Sequence, residues 1–295
     1  MTDRQALRHE WLKSLAPQYG FQLQTEQVAS ADASFRHYYR LLADDGQSYV
    51  VMDAPPAQEN VESFIKVTHL FESAQLNVPT IYEQDVNHGF LLLKDLGKET
   101  YLDVLNEQNA RELFEKAIDA LIQWQLISKP SVLPEYDHAV LSREINLFPQ
   151  WYVDVHRKKT LDERQNALMK MCFERILQNN LAQEKVFVHR DFMPRNLMVS
   201  SDVTPGILDY QDALYGPISY DIASLMRDAF ISWGEVFVID MTIRYWEKAR
   251  KAGLPVPADF GLFWKDVEWM GIQRHLKVLG IFARINYRDG KPKYL

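Results

Sequence analysis

The alternation of hydrophobic and polar positions predicts a strand-rich first part of the chain. A helix is predicted over residues 2–16, because apolar residues recur at every fourth position from Leu7 to Leu15. Between about 21 and 53, three runs rich in β-branched and aromatic residues predict antiparallel strands, with an Asp-Asp-Gly turn ending at Gly46. These elements form the beginning of a small sheet.

The remaining pattern predicts one more helix and two more strands for this sheet, followed by a helical region. The apolar face of residues 60–74 predicts the helix, and TIYEQD and HGFLLLKDLG predict the strands. Further helices are predicted at 110–128, 161–180 and within 220–295. We therefore expect an α+β chain with a small antiparallel-sheet lobe, 1–97, and a larger, mainly helical lobe, 98–295.

Three short strands are predicted inside the helical region, and each has a polar side chain near one of its ends. Val-Phe-Val at 186–188, Leu-Met-Val at 197–199 and Gly-Ile-Leu at 206–208 are the predicted strands. The polar residues beside them are Asp191, Asn196 and Asp209. A turn residue is the usual explanation for any single one of these side chains. Together, two carboxylates and an amide are hard ligands that suit Mg²⁺.

Composition and charge narrow the classes of function. The chain has 295 residues, is 47% hydrophobic and carries a net charge of −7, so no basic surface for nucleic acid or anionic membrane is indicated. The one cysteine, Cys172, excludes an intramolecular disulfide and is expected to be a small buried side chain. Neither a signal peptide nor a membrane-length apolar run is visible. We expect a cytoplasmic monomer.

The spacing His189-Arg190-Asp191, then Asn196, matches the kinase catalytic loop. In that loop the aspartate takes the proton of the acceptor hydroxyl and the asparagine holds a metal ion. A kinase places its second metal-binding carboxylate further along, where this chain has Asp209. The combined pattern indicates phosphoryl transfer much more specifically than any one of its residues.

HRDFMPRN, ILDYQDALYGP and SYDIASL resemble the aminoglycoside phosphotransferase and choline kinase branch of the protein-kinase-like fold. The resemblance implies a nucleotide-covering N-lobe, with a hinge near its end, and a C-lobe that carries the catalytic loop. It implies ATP as co-substrate, Mg²⁺ held by Asn196 and Asp209, and Asp191 as the base. His189 and Asp221 would be structural supports, with Asp221 bracing the catalytic loop at a helix N-terminus.

Other segments resemble a narrower family within this branch, the anomeric kinases of N-acetylmuramate and N-acetylglucosamine. They include SFRHYYRL, LSREINLFPQWYV and QRHLKVLGIFARINYRDGK. The resemblance implies phosphorylation of the C1 hydroxyl of an amino sugar during peptidoglycan recycling. Glu144 is the first candidate for sugar binding, Trp151 for an aromatic wall, and Arg284 for the cation opposite a lactyl carboxylate. Asp212 is a further acceptor candidate. Core packing or a solvated surface explains each of these singly.

The nucleotide-binding segments depart from the kinase pattern. The turn over the phosphates has no glycine, which leaves Ser34 and Arg36 as candidates for phosphate contacts. The third strand ends in Asp53, where a kinase has a phosphate-binding lysine, and Arg36 or Arg40 are the candidate replacements. Leu-Leu-Leu-Lys94-Asp-Leu96 falls at the expected hinge, which would bind adenine through its backbone.

Arg195 leaves two interpretations open. It could stabilise charge on the transferring phosphoryl group or orient Asp191, and an ion pair with Asp212 or Asp221 explains it equally well.

Alternatives to an amino-sugar kinase stay open. A kinase of an aminoglycoside, choline or another amino alcohol would share the same core, although a cationic acceptor favours an acidic pocket. A protein kinase is disfavoured because no Ala-Pro-Glu segment lies between Asp209 and Asp221. A non-catalytic nucleotide-binding module is favoured only by the missing lysine. The sequence does not fix the acceptor or its anomer.

Overall fold

A computed structural model describes residues 3–30, 35–200 and 204–295. The contacts divide these residues into two compact units. The first unit holds the described residues up to Lys98 together with Gly206–Gln211, and the second holds the rest. The first unit contains an antiparallel sheet and the second is mainly helical, so the predicted α+β class is confirmed. The grouping of Gly206–Gln211 with the first unit was not anticipated.

The first unit is a five-stranded antiparallel sheet with two helices. The strand order in this sheet is β1-β2-β3-β5-β4, and the predicted strands and helices are all present in it. Their bounds are α1 (Asp3–Tyr19), β1 (Phe21–Ser30), β2 (His37–Ala43), β3 (Ser48–Asp53), α2 (Val61–Ser73), β4 (Ile81–Asp85), β5 (Phe90–Lys94) and, from later in the chain, β8 (Gly206–Ile207).

The strand register separates the side chains of β2, β3 and β5 into two faces. Tyr39 lies opposite Val51, and Val51 lies opposite Leu92. Because directly paired residues of antiparallel strands project to the same side, these three residues share one face. Leu12 of α1 packs with Val51 and Leu92, so α1 covers this face. Arg40, one position after Tyr39, lies on the other face.

Helix α1 packs Trp11 and Leu15 of the predicted apolar face against the core, but its buried side is centred on Leu12. Leu7 is 46% exposed, whereas Arg8 and Leu12 are buried. The guanidinium of Arg8 donates hydrogen bonds to Glu26 on β1 and to Asp53 on β3. A buried arginine needs such partners, and these contacts orient the helix with Arg8 towards the sheet.

The second unit contains most of the helices. Its elements are α3 (Tyr101–Val104), α4 (Ala110–Leu126), α5 (His138–Ile145), a π-helix (Phe148–His156), α6 (Glu163–Leu181), β6 (Lys185–Val188), a 3₁₀ turn (Pro194–Asn196), β7 (Leu197–Met198), β9 (Leu214–Pro217), α7 (Tyr220–Met226), α8 (Glu235–Lys251), α9 (Phe260–Asp289) and a last 3₁₀ turn (Pro292–Tyr294). The helices predicted at 110–128, at 161–180 and after 220 are confirmed.

Strand β6 pairs antiparallel with β9, with Val186 opposite Gly216. The sequence pattern did not predict β9, because Leu-Tyr-Gly-Pro is short and contains two residues that are uncommon in strands. The prediction for Cys172 was wrong, because its side chain is exposed on α6. Throughout the described ranges, every helix is too short or too polar to cross a lipid bilayer.

Capping side chains define the helix starts that matter for the site. Helix α5 begins after Asp137, whose carboxylate accepts a hydrogen bond from the N–H of Val140. Helix α9 begins after Asp259, which accepts from the N–H of Leu262 in the same way. Such N-caps satisfy N–H groups that have no partner within the helix. Helices α5 and α9 carry the acceptor candidates Glu144 and Arg284.

Candidate active site

The loop after β6 is fastened by the carboxylate of Asp221, in the first turn of α7. This buried carboxylate accepts hydrogen bonds from the backbone N–H of His189 at 2.7 Å and of Arg190 at 3.0 Å. Burial raises the pKa of Asp221 to about 7, against the lowering effect of the two N–H donors and of Arg274. His189 itself is fully buried, so its ring forms part of the interior behind the loop.

Arg190 is held through its backbone and its side chain. Its φ of 79° lies in the left-handed region, which is uncommon for a residue with a side chain. Its C=O accepts a hydrogen bond from Nη1 of Arg274 at 3.0 Å. Its guanidinium donates to Oε1 of Glu144 at 2.6 Å and to the C=O of Asp212 at 3.2 Å. These contacts maintain a backbone conformation that would otherwise be unfavourable.

Asp191 follows this fixed residue and is half-buried. Its N–H donates to Nδ1 of His189 at 3.2 Å, and its C=O accepts from Nδ2 of Asn196 at 2.8 Å. Across the described ranges, no residue hydrogen-bonds or ion-pairs with the carboxylate of Asp191. The backbone is therefore tightly fixed while the carboxylate itself makes no such bond, which suits a group that accepts a proton from a bound hydroxyl.

The Asp209 segment lies in the first unit, where Tyr210 anchors it to α2. The ring of Tyr210 is fully buried against Phe64 and Phe71, and its hydroxyl hydrogen-bonds with Thr68 at 2.8 Å. Asp209 has a φ of 62°, so a second candidate residue adopts the left-handed backbone region. Its Oδ1 accepts a hydrogen bond from Nε2 of Gln211 at 2.8 Å.

Asn196, in the second unit, and Asp209, in the first, each offer an oxygen of the kind that suits magnesium. Asn196 donates through Nδ2, so Oδ1 is its atom for a cation, and Asp209 supplies a carboxylate. In the part of the chain that the structure describes, no three His, Cys, Asp or Glu side chains form a metal site of their own. Mg²⁺ commonly takes one or two protein oxygens and completes its shell with water and phosphate.

Arg40, a candidate replacement for the kinase lysine, is engaged elsewhere. Its guanidinium donates to Oδ1 of Asp95 at 2.8 Å and to the C=O of Gly97 at 2.6 Å. Burial acts to raise the pKa of Asp95, but hydrogen bonds from Arg40, Ser48 and the N–H of Gly97 lower it overall. Arg40 therefore fastens the segment after β5, where the hinge was expected.

The other nucleotide candidates have varied surroundings. Ser34 lies outside the described residues, as do residues 31–33 of the glycine-free turn. Arg36 lies 3.9 Å from the carboxylate of Glu59. Lys94 has an exposed side chain, and its N–H donates to the C=O of Thr80. Leu96 is half-buried, and within the described ranges its backbone makes no hydrogen bond, so its N–H and C=O fit the expected adenine contact.

Glu144 has its partners within the protein. It is 4% exposed, and Oε1 contacts both Nη2 of Arg190 and Nζ of Lys277, the latter at 3.2 Å. Oε2 accepts a hydrogen bond from the hydroxyl of Tyr136. Burial acts to raise the pKa of Glu144, but Lys277, Arg190 and Tyr136 lower it to about 2. Both oxygens of the first sugar-binding candidate are thus engaged.

Arg284 and Trp151 belong to neighbouring elements of the second unit. Gly280 of α9 allows a close approach, because a Cβ there would lie 2.3 Å from the backbone of Leu147. About two turns further along α9, the hydroxyl of Tyr287 lies 3.2 Å from Nδ1 of His156 on the π-helix. Residues 280, 284 and 287 lie on one side of a helix, so Arg284 lies along the π-helix that carries Trp151.

The environment of Arg284 suits an anion. Within the described residues its buried Nε has no hydrogen-bond partner. Burial lowers the pKa of Arg284, and the nearby Arg288 lowers it further. Among the remaining candidates, Arg195 packs its guanidinium over the ring of Phe230 at 5.0 Å, and Asp212 is exposed.

The sequence analysis did not identify the interior residues that surround Glu144. Tyr136 and Lys277 are the two it missed, and both are buried. The available signal was a pair of cations, Arg274 and Lys277, three positions apart on one side of a helix with apolar neighbours. Charges on a mainly apolar face indicate paired interior residues.

Comparison with known proteins gives a family and a fold. The profile of the phosphotransferase enzyme family (APH) matches residues 25–260. An N-acetylmuramate/N-acetylglucosamine kinase of Neisseria meningitidis serogroup B is 50% identical over 296 residues, covering 99% of this chain and 87% of that protein. A kinase of the same name from Pseudomonas aeruginosa is 53% identical over 267 residues, covering 90% of this chain and 78% of that protein.

Solved structures show the same fold at low identity. An aminoglycoside phosphotransferase with bound ADP has a TM-score of 0.60 and 18% identity, covering 91% of this chain and 98% of that one. A choline kinase from Streptococcus pneumoniae has a TM-score of 0.64 and 13% identity, covering 97% of this chain and 92% of that one. The protein-kinase-like fold predicted from the motifs is therefore confirmed.

Proposed function

The chain belongs to the phosphotransferase enzyme family, and on this premise we propose that it transfers the γ-phosphoryl group of ATP to the anomeric hydroxyl of N-acetylmuramate or N-acetylglucosamine. The identity of about half of all residues to kinases of these two sugars, along nearly the whole chain, carries the proposal. A sugar 1-phosphate made in this way would serve the recycling of peptidoglycan. The proposal includes a cytoplasmic, monomeric enzyme without a nucleic-acid or membrane partner.

Asp191 is proposed to orient the acceptor hydroxyl and take its proton. Its backbone is fixed on both sides by His189 and Asn196, while its carboxylate makes no hydrogen bond to a described residue. An anomeric hydroxyl is more acidic than an ordinary alcohol, so a carboxylate is an adequate base for it. Positioning and electrostatic stabilisation supply most of the catalysis in phosphoryl transfer.

Asn196 and Asp209 are proposed as the protein ligands of Mg²⁺. The bound ion would neutralise charge on the phosphate oxygens. Asn196 contributes Oδ1, since its Nδ2 is fixed on the backbone of Asp191. Arg195 is proposed to stabilise charge on the transferring group, and Arg36, Lys94 and Leu96 to contact the nucleotide. Ser34 remains a candidate for the phosphates.

Arg284 and Trp151 are proposed to bind the acceptor. Trp151 would offer an aromatic surface to the pyranose ring, and the guanidinium of Arg284 would bind the lactyl carboxylate of N-acetylmuramate. The buried Nε of Arg284, without a partner among the described residues, supports this assignment. Asp212, which is exposed, remains a candidate for a sugar hydroxyl.

The test is ³¹P NMR of the protein with Mg·ATP and each amino sugar, with Asp191→Asn as the control. An acid-labile phosphate coupled to the anomeric proton, made by the wild type and not by the variant, is the expected result. A 6-phosphate would retain the fold and the base but overturn the acceptor position. No sugar phosphate would overturn the proposal, and aminoglycosides and choline would be assayed next.

A further inference from the structure

Two buried residues, Tyr136 and Lys277, and the half-buried Arg190 surround the side chain of Glu144. The hydroxyl of Tyr136 donates a hydrogen bond to Oε2, and Lys277 and Arg190 contact Oε1. The ring of Tyr136 lies 5.0 Å from that of Tyr220, whose hydroxyl accepts a hydrogen bond from Nζ of Lys277 at 3.1 Å. Both oxygens of this nearly buried carboxylate therefore contact a donor within the protein.

This cluster is built on the same strand pair that delivers the catalytic loop. The N–H of Tyr136 donates to the C=O of Tyr215 on β9 at 2.8 Å, and β9 pairs with β6. Gly216 makes this contact possible, because a Cβ at that position would lie 2.4 Å from Cβ of Tyr136. Glu144 and the loop after β6 thus share one rigid frame.

We infer that Glu144 is a positioning residue of the catalytic loop: its buried carboxylate holds the side chain of Arg190 and thereby sets the direction in which Asp191 leaves the strand. The inference rests on the proposed function and replaces sugar binding by Glu144. Arg190 needs such an anchor because its φ of 79° is unfavourable. Asp221 and Arg274 hold only the backbone N–H and C=O of the residue.

The geometry disfavours a direct contact between Glu144 and the acceptor. A sugar hydroxyl could reach the carboxylate only by displacing Arg190, Lys277 or Tyr136 from it. Displacement would leave a buried cation or hydroxyl without its partner, which is costly. Lys277 contacts the same oxygen as Arg190 and adds a second positive charge beside the carboxylate, while its Nζ also donates a hydrogen bond to the hydroxyl of Tyr220.

The test compares steady-state kinetics of the wild type, Glu144→Gln and Tyr136→Phe with both substrates. A positioning role predicts that Glu144→Gln lowers kcat about 100-fold, while KM for the sugar and for ATP changes by less than about twofold. Tyr136→Phe, which removes one hydroxyl and keeps the volume, should lower kcat by a smaller factor with the same pattern. If Glu144→Gln does not fold, the kinetics of Tyr136→Phe alone test the positioning role.

Tyr245→Phe is the matched control, because the hydroxyl of Tyr245 makes an equally buried hydrogen bond to Gln125 at 2.6 Å. It should lower the melting temperature as Tyr136→Phe does but leave kcat unchanged. A raised sugar KM with unchanged kcat in Glu144→Gln would make Glu144 a sugar ligand and overturn the inference, as would wild-type kinetics in that variant. A wild type that phosphorylates no acceptor would overturn the proposed function and, with it, the inference.

Discussion

Nη1 of Arg8 donates a hydrogen bond to Oδ2 of Asp53 at 2.7 Å, between helix α1 and strand β3. Nε of Arg4 donates to the other carboxylate oxygen at 2.6 Å. Val50 is paired with Arg40 and therefore shares its face of the sheet. Asp53 lies three positions after Val50 on β3, and because side chains alternate along a strand, its carboxylate projects from the opposite face. The acidic residue at the end of β3 thus anchors α1.

Asp53→Asn should lower the free energy of unfolding by roughly 3–5 kcal/mol, because it leaves two arginines short of a buried counter-charge. Asp53→Lys, which inserts the kinase-type residue, should not fold, since it adds a third cation there. Urea denaturation followed by circular dichroism measures both.

Asp119→Asn is the control for these two variants, because Asp119 pairs with Lys248 on the surface and its loss should cost less than about 1 kcal/mol. Equal stability of Asp53→Asn and Asp119→Asn would show that the contact of Asp53 with α1 is unimportant.

The elements that sequence predicted well are those specified by local patterns. Alternation and turn residues located the five strands of the sheet, and the spacing from Asp191 to Asn196 identified the kinase branch. Features that depend on distant partners were missed. Arg8 is buried because Asp53 lies opposite it on β3, and Glu144 is paired in the interior with Lys277, which is far along the chain. Charge pairs between distant segments leave no periodic signal.

Asp191→Asn should lower kcat by about 10²–10⁴-fold, the usual contribution of a general base, without weakening nucleotide binding. The amide keeps the size of the side chain and cannot take the proton. Turnover assays and calorimetric titration with a non-hydrolysable ATP analogue separate the two effects. Turnover within about twofold of wild type would remove Asp191 from the role of base.

Asp209→Asn should change the metal dependence of the reaction. The proposed Mg²⁺ ligand loses its charge, so the magnesium concentration for half-maximal activity should rise by about tenfold or more. Gln211→Ala is the matched control, because it removes the hydrogen bond to Oδ1 of Asp209 and leaves the carboxylate in place. An unchanged magnesium requirement in Asp209→Asn would argue against Asp209 as a ligand.

Arg284→Gln should discriminate between the two amino sugars. N-acetylmuramate carries a lactyl carboxylate that N-acetylglucosamine lacks. Loss of the guanidinium should therefore raise KM for N-acetylmuramate by about 10- to 100-fold and leave KM for N-acetylglucosamine unchanged. The second sugar is an internal control for folding. Arg288→Gln, which breaks only the pair with Asp289, should affect neither substrate. An equal rise for both sugars would show that Arg284 does not bind the carboxylate.

The ionised carboxylate of Glu144 should raise the free energy of unfolding, and this contribution should be lost in acid. Its pKa falls from an ordinary value of 4.5 to about 2 on folding, which corresponds to about 3 kcal/mol. A lowered pKa means that this stability is complete above pH 5 and is lost as the pH falls from about 4.5 towards 2. The wild type should therefore exceed Glu144→Gln in stability by a constant amount between pH 5 and 8.

Urea denaturation of both proteins from pH 3 to 8 measures this difference. The difference in free energy of unfolding should shrink below pH 4.5. Asp221, whose pKa is about 7, is present in both proteins, so its titration should cancel from the difference. Glu135→Gln, at an exposed pair with Lys185, should show no comparable trend. Equal stability of wild type and Glu144→Gln at pH 7 would contradict an ionised, paired Glu144, because breaking a buried ion pair at one end leaves the other charges uncompensated.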